Sequence, residues 1–365
     1  MDMPFAISRG SEAPLASATA TKTAILVVCL RSVIPSAFLH LGGGHSRPHP
    51  GLSVIQVAML LPNSLSSATE TSNAAARRRF PIPTKESFRR NTMAKVKRKL
   101  KVGIIGSGAI ARDQHLPYWR QLEAEGRVEV LGVCDLVRER REVEAAKCVQ
   151  AKPFANYDKM LAAIDFDIID VCTQNRVHAP ATIAGLKAGA HVLVEKPMAM
   201  NTKECLAMIA AAKAKKRKLM VAQHMRFEPR AEKLKEVVMS GALGRIYTAE
   251  TKWLRRRGIP GWGKFHLKKE SLGGPLIDIG VHMMDLCVWL MGCPKPTAAS
   301  GKVYRMFGDR PDLFNTDWGT PYPPKEFTVE DYATGFVRFE NDITMQMSVS
   351  WAANTNDEIE NMYIL

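Results

Sequence analysis

The sequence lacks a long apolar segment, although 46% of its 365 residues are hydrophobic. The longest candidate, residues 24–41, is interrupted by Arg31, Pro35 and His40. A membrane-spanning helix needs about 20 predominantly apolar residues, so the sequence excludes a protein that crosses a membrane several times. Because 24% of the residues are charged, the composition is that of a globular protein rather than a fibrous or disordered one.

The sequence also lacks paired cysteines. Its seven cysteines are odd in number, and no two of them form a CxxC motif. Disulfide-stabilised domains and zinc sites depend on such pairs. We therefore expect free thiols, no metal site and a cytoplasmic location, where reducing conditions keep thiols free.

A cluster of charge that could bind a nucleic acid is lacking as well. The formal net charge is +15, but residues 1–92 carry only ten basic and four acidic side chains, and the other charges are spread over the rest of the chain. Nucleic-acid binding depends on clustered lysine and arginine, so we expect neither a nucleic acid nor a membrane as partner. The basic N-terminal segment keeps nucleic-acid binding open as a minor alternative.

Residues 1–92 lack any sustained helical or strand periodicity and are rich in Ser, Ala, Thr, Pro and Arg. Three interpretations compete: a targeting peptide, a weak signal anchor around residues 25–30, and a segment ahead of a natural start at Met93. A lysine-rich stretch and a clear strand pattern follow Met93, which favours the third interpretation. We therefore place residues 1–98 outside the folded domains, as an extension.

From residue 99 the chain alternates short apolar runs with longer helical patterns. Strands are predicted at 101–105, Val128–Cys134, 167–172, His191–Val194 and 218–222. Helices are predicted at 109–124, 138–150, 178–188 and 202–214. This alternation predicts a doubly wound parallel sheet, so residues 99–222 are expected to form an α/β domain of the Rossmann type.

After residue 223 the pattern changes to that of an α+β domain. Strands are predicted at 244–254 and 296–306, and Tyr332–Phe339 and 343–351 are expected to form a hairpin, because the intervening Asn341 and Asp342 tolerate a positive φ. Residues 223–365 should therefore form an open antiparallel sheet with a helix on it. The chain stops soon after the hairpin with an apolar end, so we expect this domain to be incomplete at the C-terminus.

A glycine-rich loop follows the first predicted strand. Gly106 would make a tight turn, Gly108 would let the backbone approach a pyrophosphate, and Ala111 would let the helix pack closely on the strand. Ala109 and Ile110 complete the loop at the start of the helix, where free N–H groups favour anions. This context predicts a dinucleotide site.

Asp135, at the end of the second predicted strand, indicates which dinucleotide binds. A carboxylate at this position can accept hydrogen bonds from the adenosine ribose and repels a 2′-phosphate, which favours NAD. Arg138 is the counter-argument, since it could reach a 2′-phosphate, so NADP stays possible. Asp135 could also serve as an N-cap for the following helix.

Lys196 stands in a Glu-Lys-Pro motif at the end of a predicted strand, on the edge where doubly wound sheets bind ligands. Pro197 restricts the backbone at Lys196 and so gives the lysine a set direction. An ammonium beside a substrate hydroxyl can orient it and stabilise a developing alkoxide. The alternative is an ordinary solvated lysine.

A second cluster lies in residues 273–285, where Asp278, His282 and Asp285 would share one face of a helix. A histidine with an aspartate one turn away is suited to act as a general base for a hydroxyl, and Asp278 would orient it. The alternatives are a buried core histidine and a metal-binding pair.

The three motifs at 106–111, 195–197 and 273–285, in this order, resemble the glucose–fructose oxidoreductase, inositol dehydrogenase and rhizopine-catabolism family (Gfo/Idh/MocA). The resemblance extends over residues 99–351. It implies an NAD(P)-binding Rossmann domain and a second domain whose open sheet often serves oligomerisation. It also implies a catalytic set of Lys196, Asp278 and His282.

The resemblance further implies which residues surround the two ligands. Those expected to line the cofactor cleft are Thr173, Asn175, His178, Glu195, Lys196 and Arg226. Gln174 departs from the family pattern, in which proline is common. Arg257 and Trp262 would face the substrate, as a carboxylate clamp or a stacking surface for a sugar, unless their segment is simply an exposed loop.

The function expected from this resemblance is NAD(P)-dependent hydride transfer between nicotinamide and a secondary hydroxyl of a sugar, inositol or related polyol. His282 would take the hydroxyl proton while Lys196 polarises the oxygen. The alternative is a non-catalytic dinucleotide-binding sensor or scaffold. We also expect a homo-oligomer formed through the C-terminal sheet.

Overall fold

The computed structural model describes residues 26–29, 98–315 and 322–365, which form two six-stranded sheets. The first strand, β1 (Leu26–Cys29), lies in the region that the sequence analysis left without structure. The other interpretations of residues 1–92 fall outside the described residues. Within those ranges, no helix combines the length and the apolar character that a membrane crossing needs.

The first sheet is entirely parallel. Its strands are β2 (Leu100–Ile105), β3 (Val128–Cys134), β4 (Lys152–Phe154), β5 (Ile168–Val171), β6 (His191–Val194) and β7 (Leu219–Val221). Their spatial order, β4-β3-β2-β5-β6-β7, is that of the doubly wound dinucleotide-binding fold. The predicted Rossmann fold is therefore confirmed. The prediction omitted β4, a three-residue strand at the sheet edge with little apolar character.

Helices cover both faces of this sheet. They are α1 (Leu116–Ala124), α2 (Arg138–Ala146), α3 (Tyr157–Ala163), α4 (Asn175–Lys187) and α5 (Thr202–Lys215). Because both faces are covered, the central strands are almost fully apolar, with side chains such as Ile104 and Ile169 completely buried. A π-helical turn, Ala111–His115, precedes α1 and follows the glycine loop.

The second sheet belongs to the C-terminal half. Its strands, apart from β1, are β8 (Thr248–Leu254), β10 (Pro296–Tyr304), β12 (Tyr332–Phe339), β13 (Thr344–Ser350) and β14 (Ile359–Ile364). A separate two-stranded ladder pairs β9 (Ile259–Pro260) with β11 (Phe314–Asn315). The predicted hairpin joins β12 and β13, with positive φ at Asn341 and Asp342.

This second sheet is mixed, whereas the sequence analysis predicted an antiparallel one. Strands β8 and β13 pair in parallel, and the other pairs are antiparallel. A parallel pair requires a long crossover connection, and residues 255–343 between these strands provide it. Strand β14, which was not predicted, pairs with β8 on one side and with β1 on the other.

The C-terminal half contains helices α6 (Pro229–Met239), α7 (Lys268–Ser271), α8 (Pro275–Asp278) and α9 (Gly280–Leu290), of which α8 and α9 pack on one face of the mixed sheet. Helix α9 packs on β8 and β13, with Met283, Leu286 and Met345 in one buried cluster. The opposite face of the sheet is polar and open, and Phe336 on it is partly exposed. The packing of α9 brings His282 to the boundary between the two sheets.

Candidate active site

Contacts between α4 of the first domain and α7 of the second hold the two domains together. The side-chain amide of Asn175 donates a hydrogen bond to the carbonyl of Ser271 at 2.7 Å. Next to it, Arg176 forms an ion pair with Glu270. These contacts place the C-terminal ends of β5 and β6 opposite α8 and α9, so the predicted catalytic residues from both domains meet.

The glycine loop has the open geometry that a pyrophosphate requires. Gly106 has a φ of +93°, and a Cβ built there would lie 2.6 Å from the carbonyl oxygen of Cys172. A Cβ at Gly108 would meet no atom within 4 Å. The hydroxyl of Ser107 is buried and finds no hydrogen-bond partner among the described residues. Open space beside an unpartnered hydroxyl and a helix start fits a bound phosphate group.

Asp135 lies directly against this loop at the end of β3. One carboxylate oxygen accepts a hydrogen bond from the backbone N–H of Ser107 at 2.9 Å. The other accepts from the N–H of Val137 at 2.8 Å. Val137, rather than Asp135, is the N-cap of α2, so the N-cap interpretation is wrong, although this hydrogen bond orders the chain just before the helix.

The arginines near Asp135 differ in their contacts. Arg138 is exposed and donates to Glu142 at 2.7 Å along α2. Arg141, which the sequence analysis did not identify, donates to the carbonyl oxygens of Asp135 and Leu136 at 3.2 and 3.1 Å. The contact of Arg138 therefore does not support the proposed role in binding a 2′-phosphate.

Lys196 is not a solvated surface lysine. Its side chain is 15% exposed, and its ammonium donates to the carbonyl oxygen and to Oδ1 of Asp278 at 3.0 and 3.1 Å. The other carboxylate oxygen of Asp278 accepts from the indole of Trp351 at 3.1 Å. Burial alone would raise the pKa of Asp278, but the charges of Lys196 and Arg255 lower it. The result is a buried, ionised pair.

His282 lies beside this pair and is only 6% exposed. Its Nδ1 has no hydrogen-bond partner among the described residues. Its ring packs against the edge of His224 with the centroids 4.9 Å apart, and Trp253 lies 6.2 Å away. Burial and then the charge of Lys196 lower the pKa of His282 well below its usual value. It is therefore a neutral imidazole whose Nδ1 is buried without a hydrogen-bond partner among the described residues.

The structure differs from the prediction that Asp278 orients His282. The helix is interrupted at Ile279, which separates α8 from α9. The Asp278 carboxylate is engaged by Lys196 and Trp351 instead, and Asp285 forms a two-fold ion pair with Arg226. The expected common face of Asp278, His282 and Asp285 therefore does not form a hydrogen-bonded relay.

Some of the loop residues expected around the cofactor lie beside the glycine loop, and others are engaged in contacts within the protein. Thr173 and Glu195 lie at the ends of β5 and β6, near the glycine loop. The ring nitrogens of His178 lie 2.7 Å from the carbonyl oxygen of Pro197 and 3.0 Å from that of Thr173. His178 thus connects two loops, while Asn175 is engaged in the domain contact and Arg226 pairs with Asp285.

The predicted substrate segment contributes a different residue from the one chosen. Arg257 is exposed, and Trp262 packs against Phe265 with ring centroids 5.2 Å apart. Arg255 is instead the residue that approaches Asp278, at 4.0 Å, with a side chain that is 14% exposed. A run of three arginines in sequence does not show which one points into the fold.

Several site residues could not be predicted from the sequence, because their partners are distant along the chain and meet them only in the folded protein. Trp351 directly follows β13 and lies 73 positions from Asp278 along the chain, and His224 follows β7 without a motif. The most extensive missed contact involves His115, whose ring nitrogens both lie 2.9 Å from a carboxylate oxygen, of Asp170 and of Glu195.

His115, Asp170 and Cys172 come close enough to suggest a metal site, with potential ligand atoms within 4.8 Å of one another. The imidazole nitrogens are already engaged by two carboxylates, and burial raises the pKa of the Cys172 thiol well above its usual value. A cysteine binds zinc as the thiolate, and a histidine binds it through a free ring nitrogen. This group therefore does not fit a metal ion.

Comparison with known proteins identifies the family. Residues 100–223 match the model of the Gfo/Idh/MocA oxidoreductase family with its NAD-binding Rossmann fold, and residues 231–363 match that of the Gfo/Idh/MocA C-terminal domain. The chain belongs to this family, and its first domain is an NAD-binding Rossmann domain. The predicted family, the oxidoreductase class and NAD as cofactor are thereby confirmed.

Two relatives have names that state a substrate. D-glucoside 3-dehydrogenase of Escherichia coli is 33% identical over 71% of this chain and 72% of its own length. Levoglucosan dehydrogenase of Pseudarthrobacter phenanthrenivorans is 28% identical over 66% of this chain and 65% of its own length. Among solved structures, the aldose–aldose oxidoreductase of Caulobacter crescentus is 27% identical, with a TM-score of 0.59 over 71% of this chain and 73% of that one.

Proposed function

We propose that this protein catalyses NAD-dependent oxidation of a secondary hydroxyl on a sugar ring or a related polyol, and the reverse reduction. The observation that carries the proposal is the neutral imidazole ring of His282 beside the buried pair of Lys196 and Asp278. A free base next to a fixed ammonium is what the deprotonation of an alcohol requires.

The glycine loop and Asp135 would hold the dinucleotide. Gly106 and Gly108 leave the backbone exposed to the pyrophosphate, Ser107 supplies a hydroxyl, and Asp135 lies at the ribose position. The bound nicotinamide supplies the hydride acceptor. Asp135 favours NAD because its carboxylate would repel a 2′-phosphate.

His282 and Lys196 have separate tasks in this proposal. His282 accepts the hydroxyl proton at its imidazole ring, which its lowered pKa keeps neutral near neutral pH. Lys196 uses two of its donors on Asp278 and turns the third toward the substrate oxygen, where it stabilises the developing negative charge. Asp278 acts on Lys196, since its carboxylate holds the ammonium in place.

The sugar class of substrate is supported by the relatives' names and by the lining of the site. D-glucoside 3-dehydrogenase and levoglucosan dehydrogenase both take sugars, by their names. Arg255 lies over the indole of Trp253 at 5.4 Å in this chain. Indole faces bind the C–H faces of sugar rings, and arginine can donate to their hydroxyls. We retain Arg257 and Trp262 as outer substrate contacts.

We further propose a homo-oligomer formed through the open face of the mixed sheet, and action in a reducing compartment such as the cytoplasm. The sheet face exposes Phe336 among polar side chains such as Thr334 and Gln346. The six cysteines with described side chains are all free thiols. Sedimentation of the purified chain tests the first proposal.

The experiment that tests the function is a screen of glucosides, anhydrosugars and inositols with NAD, followed by NADH absorbance. The active substrate is then used with Lys196→Ala and His282→Ala, and NADH binding is measured by fluorescence titration. We expect both variants to lose turnover while they keep NADH affinity. Full turnover in both variants would refute the proposal, and NADH binding without turnover on any substrate would favour a sensor.

A further inference from the structure

His115 lies between two carboxylates that come from different strands. It ends the π-helical turn after the glycine loop. Its Nδ1 lies 2.9 Å from Oδ2 of Asp170, on β5, and its Nε2 lies 2.9 Å from Oε1 of Glu195, just after β6. The three side chains are 12%, 0% and 10% exposed. This is a buried and continuous polar network.

The geometry determines the charge of His115. A neutral imidazole has only one N–H donor, so one of its nitrogens would direct a lone pair at a carboxylate. Two ionised carboxylates at hydrogen-bond distance are both satisfied only when both nitrogens carry protons. Burial alone would lower the pKa of His115, but the hydrogen bonds and charges of Asp170 and Glu195 raise it to about 10.

The network continues directly to Lys196. The second carboxylate oxygen of Glu195 accepts the backbone N–H of Lys196 at 3.0 Å. From there the lysine side chain extends to Asp278 in the other domain. A single chain of contacts thus runs from the helix that follows the glycine loop, through His115 and Glu195, to the ammonium at the substrate site.

We propose that His115 is a positioning residue: as an imidazolium between Asp170 and Glu195, it holds the Glu195 carboxylate on the backbone of Lys196 and so sets the direction of the lysine. The role of Lys196 in catalysis rests on the proposed function; the charge of His115 and its hold on Glu195 do not. No further role in proton transfer is assigned to His115.

The surrounding charges support a permanent cation at this point. Asp170 and Cys172 face it from the end of β5, Glu195 and Lys196 from the end of β6, and His224 lies beyond them. Two carboxylates and one imidazolium leave one negative charge, and the nearby ammonium of Lys196, which pairs with Asp278, also lowers the pKa of Glu195. Without the charge on His115, the carboxylates of Asp170 and Glu195 would repel each other in a buried site, which is costly. A π-turn commonly marks a functional position in a helix.

The first test reads the charge of His115 without any activity measurement. The side-chain nitrogens of ¹⁵N-histidine-labelled protein are observed by NMR at about pH 8, where an unperturbed histidine is neutral. We expect one imidazole with both nitrogens protonated, and its signal should disappear in His115→Gln. A neutral ring at His115 would overturn the proposal, whether or not the protein oxidises any sugar.

The second test compares His115→Gln with Trp119→Phe. Trp119 donates to the same oxygen of Asp170 at 2.7 Å but does not touch Glu195, so its variant disturbs the network without releasing Lys196. We expect His115→Gln to lower kcat about 10- to 100-fold with NADH affinity kept, because misplacement of a reacting group by about 1 Å costs up to that much. Trp119→Phe should lower stability and leave kcat within about threefold.

The double variant His115→Gln/Glu195→Gln provides a rescue. Two amides can hydrogen-bond to each other without a charge, so the double variant should recover part of the kcat that His115→Gln loses. Equal kcat losses in His115→Gln and Trp119→Phe, or additive losses in the double variant, would show that His115 only fills space. If no substrate is found, the NMR test still decides the charge of His115.

Discussion

Two buried histidines of this protein have opposite surroundings. His115, in the first domain, has a carboxylate oxygen 2.9 Å from each ring nitrogen, and its pKa is raised to about 10. His282, in the second domain, has no partner at Nδ1 among the described residues, and its pKa is lowered well below its usual value. One is held as a cation, and the other is held neutral.

This difference in hydrogen bonding distinguishes a histidine with a structural role from one proposed to react with substrate. Buried polar groups are hydrogen-bonded in almost all folded proteins, so a fully paired group such as His115 is explained by the fold itself. An unpaired nitrogen such as Nδ1 of His282 costs stability unless a ligand satisfies it. The two loop glycines differ in a comparable way. Gly106 is surrounded by other atoms of the protein, whereas Gly108 borders open space that a ligand could fill.

The largest expected effect is that of His282→Asn on turnover. Loss of a general base should lower kcat about 10³-fold, while stability changes little because an unpartnered polar atom is removed. The matched control is His191→Asn, in the first domain, where Nδ1 accepts the N–H of Lys218. An equal loss of kcat in both variants, on the substrate identified by the screen, would contradict the assignment.

The next effect concerns stability at alkaline pH. Because the folded pKa of His115 is raised above the ordinary 6.5 to about 10, its contribution is complete below about pH 6.5 and is lost as the pH rises through about 10. The difference in free energy of unfolding between the wild type and His115→Gln should fall by up to about 1.4 kcal/mol per pH unit in that window. Urea unfolding at several pH values measures it, and a pH-independent difference would exclude a raised pKa.

A smaller effect distinguishes the two glycines. Gly106→Ala should destabilise the protein by about 1–3 kcal/mol, because the new Cβ meets a carbonyl oxygen at a positive φ. Gly108→Ala should leave the melting temperature nearly unchanged and weaken NADH binding, since its Cβ would enter the space assigned to the pyrophosphate. Thermal unfolding and NADH titration of both variants check this, and unchanged affinity in Gly108→Ala would exclude the loop as the phosphate site.

The smallest effect is expected at the domain contact. Arg176 is 55% exposed although Glu270 is buried, so solvent weakens their attraction. The conservative variant Arg176→Lys, which keeps the positive charge at the exposed position, should differ from the wild type by less than about 1 kcal/mol in stability. Urea unfolding measures this difference. A loss in free energy of unfolding as large as that of His115→Gln would show that burial of the charged group does not determine its contribution to stability.

The motifs of the sequence predicted the family, the parallel Rossmann sheet and the NAD cofactor, all of which are confirmed. They did so because each is local: a glycine loop must follow a strand directly, and alternating apolar runs indicate a doubly wound sheet. The domain boundaries and the site residues stay predictions. The prediction that the second sheet is antiparallel was wrong in one strand pair, because β8 and β13 are parallel. Their pairing depends on the crossover of residues 255–343, which no local sequence pattern reveals.

The amino-acid sequence by itself determined the motifs from which the site is predicted: the loop at 106–111, Lys196 and His282 stand in short motifs whose spacing is dictated by backbone geometry. Only the tertiary structure decided what surrounds them. Asp278 pairs with Lys196 rather than with His282, Arg255 rather than Arg257 reaches the site, and His115 joins Asp170 to Glu195. These partners are separated by 23 to 82 positions along the chain, and pKa values depend on neighbours in space.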